Sequence, residues 1–533
     1  MNKIIIRLSL SVFALGITNV IYAQGDETSK KAEPKVENVE KDILNWYNGT
    51  GTGMQTEKAY GMLKKRTTKT VIVAIVDSGM DIEHVDLQGK IWTNPNEIAG
   101  NGIDDDKNGY IDDIHGWNFL GNANGDNAND IRLEVTRIYA ELDKKYGKSS
   151  VTIGSEEEQV EYALYLEVKE EVESTRAQAS SILGQIKMAM AGAEGDRKKE
   201  LERYVEHFET QLNVHYNPDH DGRAVIGDNP NDFTDKSYGN NDVEGPDAFH
   251  GTHVGGIVGA VRGNGIGGDG VANDVQLMSV RAVPNGDEYD KDIALAIRYA
   301  VDNGASVINM SFGKAYSPNA EEVYAAFKYA DSKGVLLVHA AGNDAKDIDE
   351  EPNFPTSMYD FQEAKLDHFL TIGASTRFGS EVPNIDVKKK SKGDPAKTAK
   401  LNMKNQFAGN DLAAAFSNYG ITGVDVFAPG FEIYNSVPQS DYAAIAGTSM
   451  ACPMVAGCAA FLKSYFPNMS MKEIKDVLLE TATVYTGQSV VKPGGVSRDP
   501  NKESATMDFG NLSVTGGVIN LAAATKACLA KEK

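Results

Sequence analysis

The chain has 533 residues, 41% hydrophobic and 24% charged, with 53 basic against 76 acidic side chains and a net charge of −23. That is globular composition, long enough for one large α/β core and an accessory element, and it excludes disorder as the main state. The acidic excess repels phosphate backbones, which excludes nucleic acid as a partner class and favours solubility and cation binding.

Met1 to Ala23 carries Lys3 and Arg7, a mostly apolar run from Leu8 to Val20 and a small residue at its end. This is the layout of a secretory signal peptide, with a membrane anchor as the alternative. The run is shorter than the ~20 apolar residues that cross a bilayer, so removal on export to the periplasm or the medium is expected, with no stable membrane span afterwards. Residues 24–45 are charged and poor in apolar groups, a solvated linker too short to fold by itself. The folded domain is expected over 46–533.

The loop from Asp104 to Asp113 packs five carboxylates into ten residues. Asp104, Asp106 and Asn108 alternate, Gly109 stands at the sharp turn, and Tyr110 and Asp112 follow, matching the first nine positions of an EF-hand loop. Calcium is the expected ligand, since hard oxygen donors suit it and zinc would want His or Cys. The twelfth position is His115 rather than glutamate, so another group must complete the shell; Asp113 is one, and 217–221 is a second, weaker place for a cation. The alternative is a polar turn without metal.

From about 131 to 216 the sequence is Glu/Lys-rich and strand-free. Val160, Leu164, Val168 and Val172 recur every four residues, Ile182, Ile186 and Met190 continue the spacing, and 192–195 reads as a turn. A long helical insertion is predicted, either scaffold at the sheet edge or an arm that gates substrate or docks an unknown partner.

Around this block lie apolar runs at 70–77, 275–283, 306–312, 334–343, 369–375 and 424–430, alternating with helical patterns such as 292–304. Continuous β-branched runs separated by helices predict a doubly wound, mostly parallel sheet with helices on both faces. Function gathers at the carboxyl ends of such strands, where Asp77 and Asn343 fall. Cys452 and Cys458 sit on one predicted helix, ~9 Å apart and beyond disulfide reach.

Three short segments carry chemistry together. Val73 to Gly79 is a buried strand ending on Asp77, which alone reads equally as a cap or a turn. His250-Gly251-Thr252-His253 enters a glycine-thinned helix, and alone fits a metal site or a core histidine as well as catalysis. Gly447-Thr448-Ser449 leads into the apolar stretch 454–465, placing a hydroxyl at a helix N-terminus, where backbone N–H groups face developing negative charge. Pro453 is expected in the first turn, where no N–H is needed.

The order Asp, His, Ser with these flanks resembles the subtilisin-like serine proteases, and the likeness extends over 46–110 and 216–525. Asp77-Ser78-Gly79, Met310-Ser311-Phe312-Gly313, Ala340-Ala341-Gly342-Asn343 and Phe427-Ala428-Pro429-Gly430 are each similar to a family segment. The resemblance implies an endopeptidase with Ser449 as nucleophile, His250 as general base and Asp77 orienting it. It also implies an oxyanion site from Asn343 and the Ser449 N–H, with Ser311, Phe312, Gly313, Ala340, Ala341 and Gly342 binding a protein or peptide substrate. The gap between Asp77 and His250 is far longer than usual, Gly255 and Cys452 stand where other small residues are common, and 24–46 leaves no room for a prodomain. The alternatives are a catalytically silent binding protein, whose signature would be a broken triad or a missing oxyanion asparagine, neither of which is seen, and a peptide-ligating acyl transferase, which uses the same residues.

Overall fold

Apolar β-branched runs become strands here because helices cover the sheet on both sides. The computed structural model describes residues 43–148, 151–379, 411–497 and 502–532. The expected signal segment and nearly all of the linker lie outside them. In chain order, α1 (Thr56–Leu63) and β1 (Val71–Asp77) are followed by β2 (Gly116–Asn118) and then by α2 (Glu134–Tyr146), α3 (Glu156–Met190) and α4 (Gly195–Thr210). Next come α5 (Phe249–Gly259), β3 (Val275–Arg281), α6 (Asp290–Asp302), β4 (Val307–Met310), α7 (Ala320–Ser332), β5 (Leu336–Ala340), β6 (Phe369–Ser375) and β7 (Val426–Pro429). The hairpin β8 (Ile433–Val437) and β9 (Asp441–Ile445) leads to α8 (Thr448–Tyr465), α9 (Met471–Glu480) and β10 (Thr483–Val484). A second hairpin, β11 (Ser489–Val491) and β12 (Thr506–Asp508), precedes β13 (Gly517–Val518) and α10 (Leu521–Lys531).

Nine strands form one sheet in the order β10-β13-β7-β6-β5-β4-β1-β3-β2, parallel except for the β10–β13 pair at one edge. β1 lies between β3 and β4, so the chain leaves it in one direction and later returns to its other side. Such a reversal opens a crevice at the carboxyl ends of the strands.

Alternate residues of β1 feed opposite cores. Val71, Val73 and Ile75 pack with α5 and α8, whereas Ala74 and Val76 pack with α6 on the other face. Each fully buried Val or Ile side chain contributes about 1.5–3 kcal/mol of hydrophobic stabilisation. α8 is apolar nearly all round and buried along almost its whole length, the expected composition of a central helix.

The strand-free block folds as predicted into long helices. Ser155 and Glu158 form a reciprocal capping box at the start of α3. Val168 and Val172 are fully buried with Val135 of α2, but Val160 is 68% exposed, so the buried stripe begins at Leu164. Farther along, Ile182 and Ile186 pack with Leu183 and with Phe208 of α4. No described helix is long and apolar enough to cross a membrane.

Candidate active site

β1 ends on Asp77, which is 1% exposed. Its Oδ1 accepts from the Ser78 N–H at 2.8 Å and lies 2.7 Å from His250 Nδ1. Two glycines allow that approach. A Cβ on Gly251 would come 2.0 Å from the Gly79 carbonyl, and Gly79 itself holds φ of 123°, a conformation that L side chains rarely adopt. Helix α5 is therefore drawn onto the end of β1, with His250 in its first turn facing Asp77.

Burial opposes a charge on His250, but the Asp77 carboxylate outweighs it and holds the imidazole above its ordinary pKa of 6.5. One helical turn on, His253 is buried and lowered to about 3, chiefly by burial. Its Nε2 lies 3.0 Å from the Ile433 carbonyl while its Nδ1 is buried without a partner, so of the two histidines in the motif this one is the core residue.

Ser449 is the second residue of α8, partly exposed, and its hydroxyl donates to the Ser311 carbonyl at 3.1 Å. Pro453 falls in the second turn, one turn later than the sequence suggested. There it lacks the N–H that would bond the carbonyl of Ser449 four residues back. Ser311 Oγ takes that place, donating to the Ser449 carbonyl at 2.9 Å. Two opposed hydrogen bonds thus tie the predicted nucleophile to the end of β4.

Asn343 follows β5. Its Oδ1 accepts from the Thr448 N–H at 2.8 Å and the Thr448 hydroxyl at 3.0 Å, which leaves the Nδ2 group to donate elsewhere. Thr448 Oγ1 in turn accepts from Gly342 N–H at 3.1 Å. Asn418 braces the same segment by donating to the Ala341 carbonyl and accepting from the N–H groups of Asp344 and Lys346. Sequence reasoning assigned no role to Thr448 or Asn418. Thr448 stood inside a quoted motif, whereas nothing in the spacing pointed to Asn418.

The strand ends also bring together the residues expected to bind substrate. Ser311, Phe312 and Gly313 follow β4, and Ala341 and Gly342 follow Ala340, the last residue of β5. Phe312 is 8% exposed, and its carbonyl accepts from His339 at 2.8 Å. Cys452 lies beneath Ser449 with its Sγ 3.1 Å from Asn309 Oδ1, and burial pushes the thiol up to about 12. Like Cys452, Cys458 and Cys528 are buried and free.

The acidic loop divides. Asp104 accepts from the N–H groups of Asn108 and Gly109, while Asp112 turns away to cap Gly100, Asn101 and Gly102. The Tyr110 ring is buried against Trp117 and Tyr299, and Asn108 Oδ1 accepts from its N–H. Carboxylate oxygens of Glu97, Asp106 and Asp113 all lie within 4.8 Å of one another, and Glu97 Oε2 is buried without a hydrogen-bond partner. Glu97 precedes the motif, so loop spacing held no signal for it. Among the described residues no comparable group forms at 217–221.

Substituting Asp77→Asn removes the main charge that raises His250. A neutral His250 exists only above its pKa, so the acidic limb of kcat/KM should lie above 6.5 in the wild type and move down in the variant, with kcat falling about 10⁴-fold. A limb that stays put would separate Asp77 from the proton transfer.

The model of the subtilase family, Peptidase_S8, matches residues 68–505. A thermophilic serine proteinase from Bacillus sp. (strain AK1) is 35% identical over 51% of this chain and 54% of its own length. Subtilisin Savinase from Lederbergia lenta is 32% identical over 48% of this chain and 77% of its own. A cell wall-associated protease of Bacillus subtilis (strain 168) is 31% identical over 51% of this chain and 24% of its own. The chain therefore spans about half the length of the first of these relatives. With most of its length matched by the family model and its strand-end residues arranged as described, the chain belongs to the subtilase family.

Proposed function

We infer that this protein is an exported serine endopeptidase acting through an acyl-enzyme. The observation that carries the reading is the 2.7 Å contact between His250 Nδ1 and Asp77 Oδ1, and the serine assigned to that pair stands in the first turn of α8 with its hydroxyl on the Ser311 carbonyl. Asp77 fixes the tautomer in which Nε2 is the basic nitrogen. His250 takes the proton as Ser449 Oγ attacks the peptide carbonyl, and returns it to the leaving amine. Water then attacks the ester by the same route in reverse. Negative charge on the carbonyl oxygen meets Asn343 Nδ2, whose direction Thr448 fixes, and the N–H of Ser449 in the first turn of α8. Export rests on the pattern of residues 1–23.

Ser449→Ala should abolish peptide hydrolysis and leave the thermal midpoint nearly unchanged. It should also share with the wild type an N-terminus near Gln24, read by mass spectrometry of exported protein. Hydrolysis at the wild-type rate would remove Ser449 from the mechanism, and a wild-type start many residues later would replace simple signal removal by self-processing.

Asn343→Ala should lower kcat by about 10² to 10³ with KM little changed, a magnitude known from subtilisin itself. A change confined to KM would place Asn343 on the ground state instead.

The acidic loop is read as a structural calcium site, with Glu97, Asp106 and Asp113 as its centre and Asp104 and Asn108 on the same loop. The orphaned Glu97 oxygen fits this reading, because a buried carboxylate oxygen without a donor is costly unless a cation meets it. Calcium should raise the thermal midpoint of Ser449→Ala protein above that in EDTA, and Glu97→Gln should blunt the rise. Identical midpoints with no bound calcium by elemental analysis would reduce the loop to a polar turn.

A further inference from the structure

β1 stops at Asp77, but both of its neighbours continue. Residues 282–288 follow β3 and residues 311–314 follow β4 as non-strand segments, and the Asp77 carbonyl is closed off by the N–H groups of Ala282 and Val283. Strands lie ~4.8 Å apart, so two segments flanking a missing strand leave a lane ~9.6 Å across, one extended peptide wide. Ser449 stands at the near end of that lane, where its hydroxyl meets the Ser311 carbonyl. Gly286 on one wall and Gly313 on the other make no backbone hydrogen bond within the protein among the described residues. Unpaired peptide groups on both sides are what an incoming strand would use.

The β3-side wall is not held by the sheet. Asn285 turns outward, donating to the Asn129 carbonyl and accepting from Ile131 N–H. Beyond it the restraint comes from the first turn of α2. Arg137, 9% exposed, donates from Nη1 to the Asp287 carbonyl at 2.8 Å and from Nη2 to the Glu288 carbonyl at 3.0 Å. Its ring neighbour Tyr289 lies 4.0 Å beneath the guanidinium. Glu134 holds Arg137 through both carboxylate oxygens, and its own N–H donates to Asp287 Oδ2. On the opposite wall, Lys314 Nζ reaches the Glu134 carboxylate at 2.7 Å and the Glu288 carbonyl at 2.9 Å.

We propose that the helical insertion is part of the peptide-binding cleft, with Arg137 the positioning residue that fixes the Gly286 wall for substrate residues on the amino side of the cleaved bond. This rests on the endopeptidase reading above. The planar guanidinium serves two successive carbonyls at once, and no aliphatic or single-point cation reproduces that fork. Without it the segment 286–288 keeps the Glu134 N–H and Lys314 contacts but loses both of its Arg137 carbonyl bonds, and a long peptide must order that wall further as it binds. A substrate with a single residue before the scissile bond does not reach the Gly286 wall.

The test compares Arg137→Met with wild type on two chromogenic peptides, one with four residues before the cleaved bond and one with a single residue. Each enzyme is normalised by titration with a serine-directed phosphonofluoridate. In the variant, kcat/KM should fall about tenfold more for the long peptide than for the short one, chiefly through KM. Equal falls for both would mean that Arg137 serves only the fold, and no fall for either would mean that the wall needs no support; each overturns the proposal. If Arg137→Met does not fold, Arg137→Lys, which keeps the charge but not the fork, is read by the same ratio. A wild type that takes up the phosphonofluoridate yet cleaves neither peptide would instead overturn the endopeptidase reading.

Discussion

The reacting end is governed by β1 stopping at Asp77 while the chains on either side of it run on. A parallel strand that continued would fill the lane between 282–288 and 311–314 and bury its own last carboxylate among strand neighbours. Because it stops, Asp77 is presented at the carboxyl end of the sheet to an imidazole, and Gly79 and Gly251 let α5 pack directly against the turn that follows. Among the described residues the same truncation leaves Gly286 and Gly313 without backbone hydrogen bonds. The buried carboxylate, its imidazole partner and the proposed lane thus follow from one termination in the order of the sheet.

The helix that carries Ser449 is adjusted to this end by a defect. Pro453 deprives the Ser449 carbonyl of its helical donor, and a buried carbonyl without a partner costs about 1–3 kcal/mol. Ser311 supplies the missing hydrogen and receives one from Ser449 in return. Ser449, the proposed nucleophile, is therefore registered against the end of β4 rather than floating on the helix end. Thr448, beside it, sets the direction of the Asn343 amide through a hydroxyl and an N–H that both meet Oδ1. Rigid support of this kind is what a donor aimed at developing charge requires.

Buried charge tells a related story at the insertion. Glu134, Arg137, Lys314 and Asp290 form one network, and Arg223, Asp228, Asp292 and Lys291 form another on the same flank. Burial favours neither member of an ion pair, yet Glu134 is held down to about 2 against that burial by Lys314 and Arg137. Apolar residues of the same volume would often be as stable. What ions and their hydrogen bonds add is a single geometry, here between α2, the segment after β3 and the segment after β4.

The sequence alone determined the sheet and the family, and it singled out the residues proposed to react, because all three are written locally. A run such as 71–76 has the composition of a strand covered on two faces, and the residues around Asp77, His250, Ser449 and Asn343 resemble those of one family closely enough to name it. Helical spacing likewise revealed α3, although it misplaced the start of the buried stripe, since periodicity records which residues are apolar and not what covers them. Only the tertiary structure decided contacts between segments distant in the chain. Glu97 joins Asp106 and Asp113 from outside the loop motif, Asn418 braces a segment dozens of positions before it, and Arg137 reaches carbonyls on the far side of the insertion. Each of these depends on a side chain meeting a backbone or carboxylate group brought near by the sheet order, and no spacing within a single segment encodes that meeting.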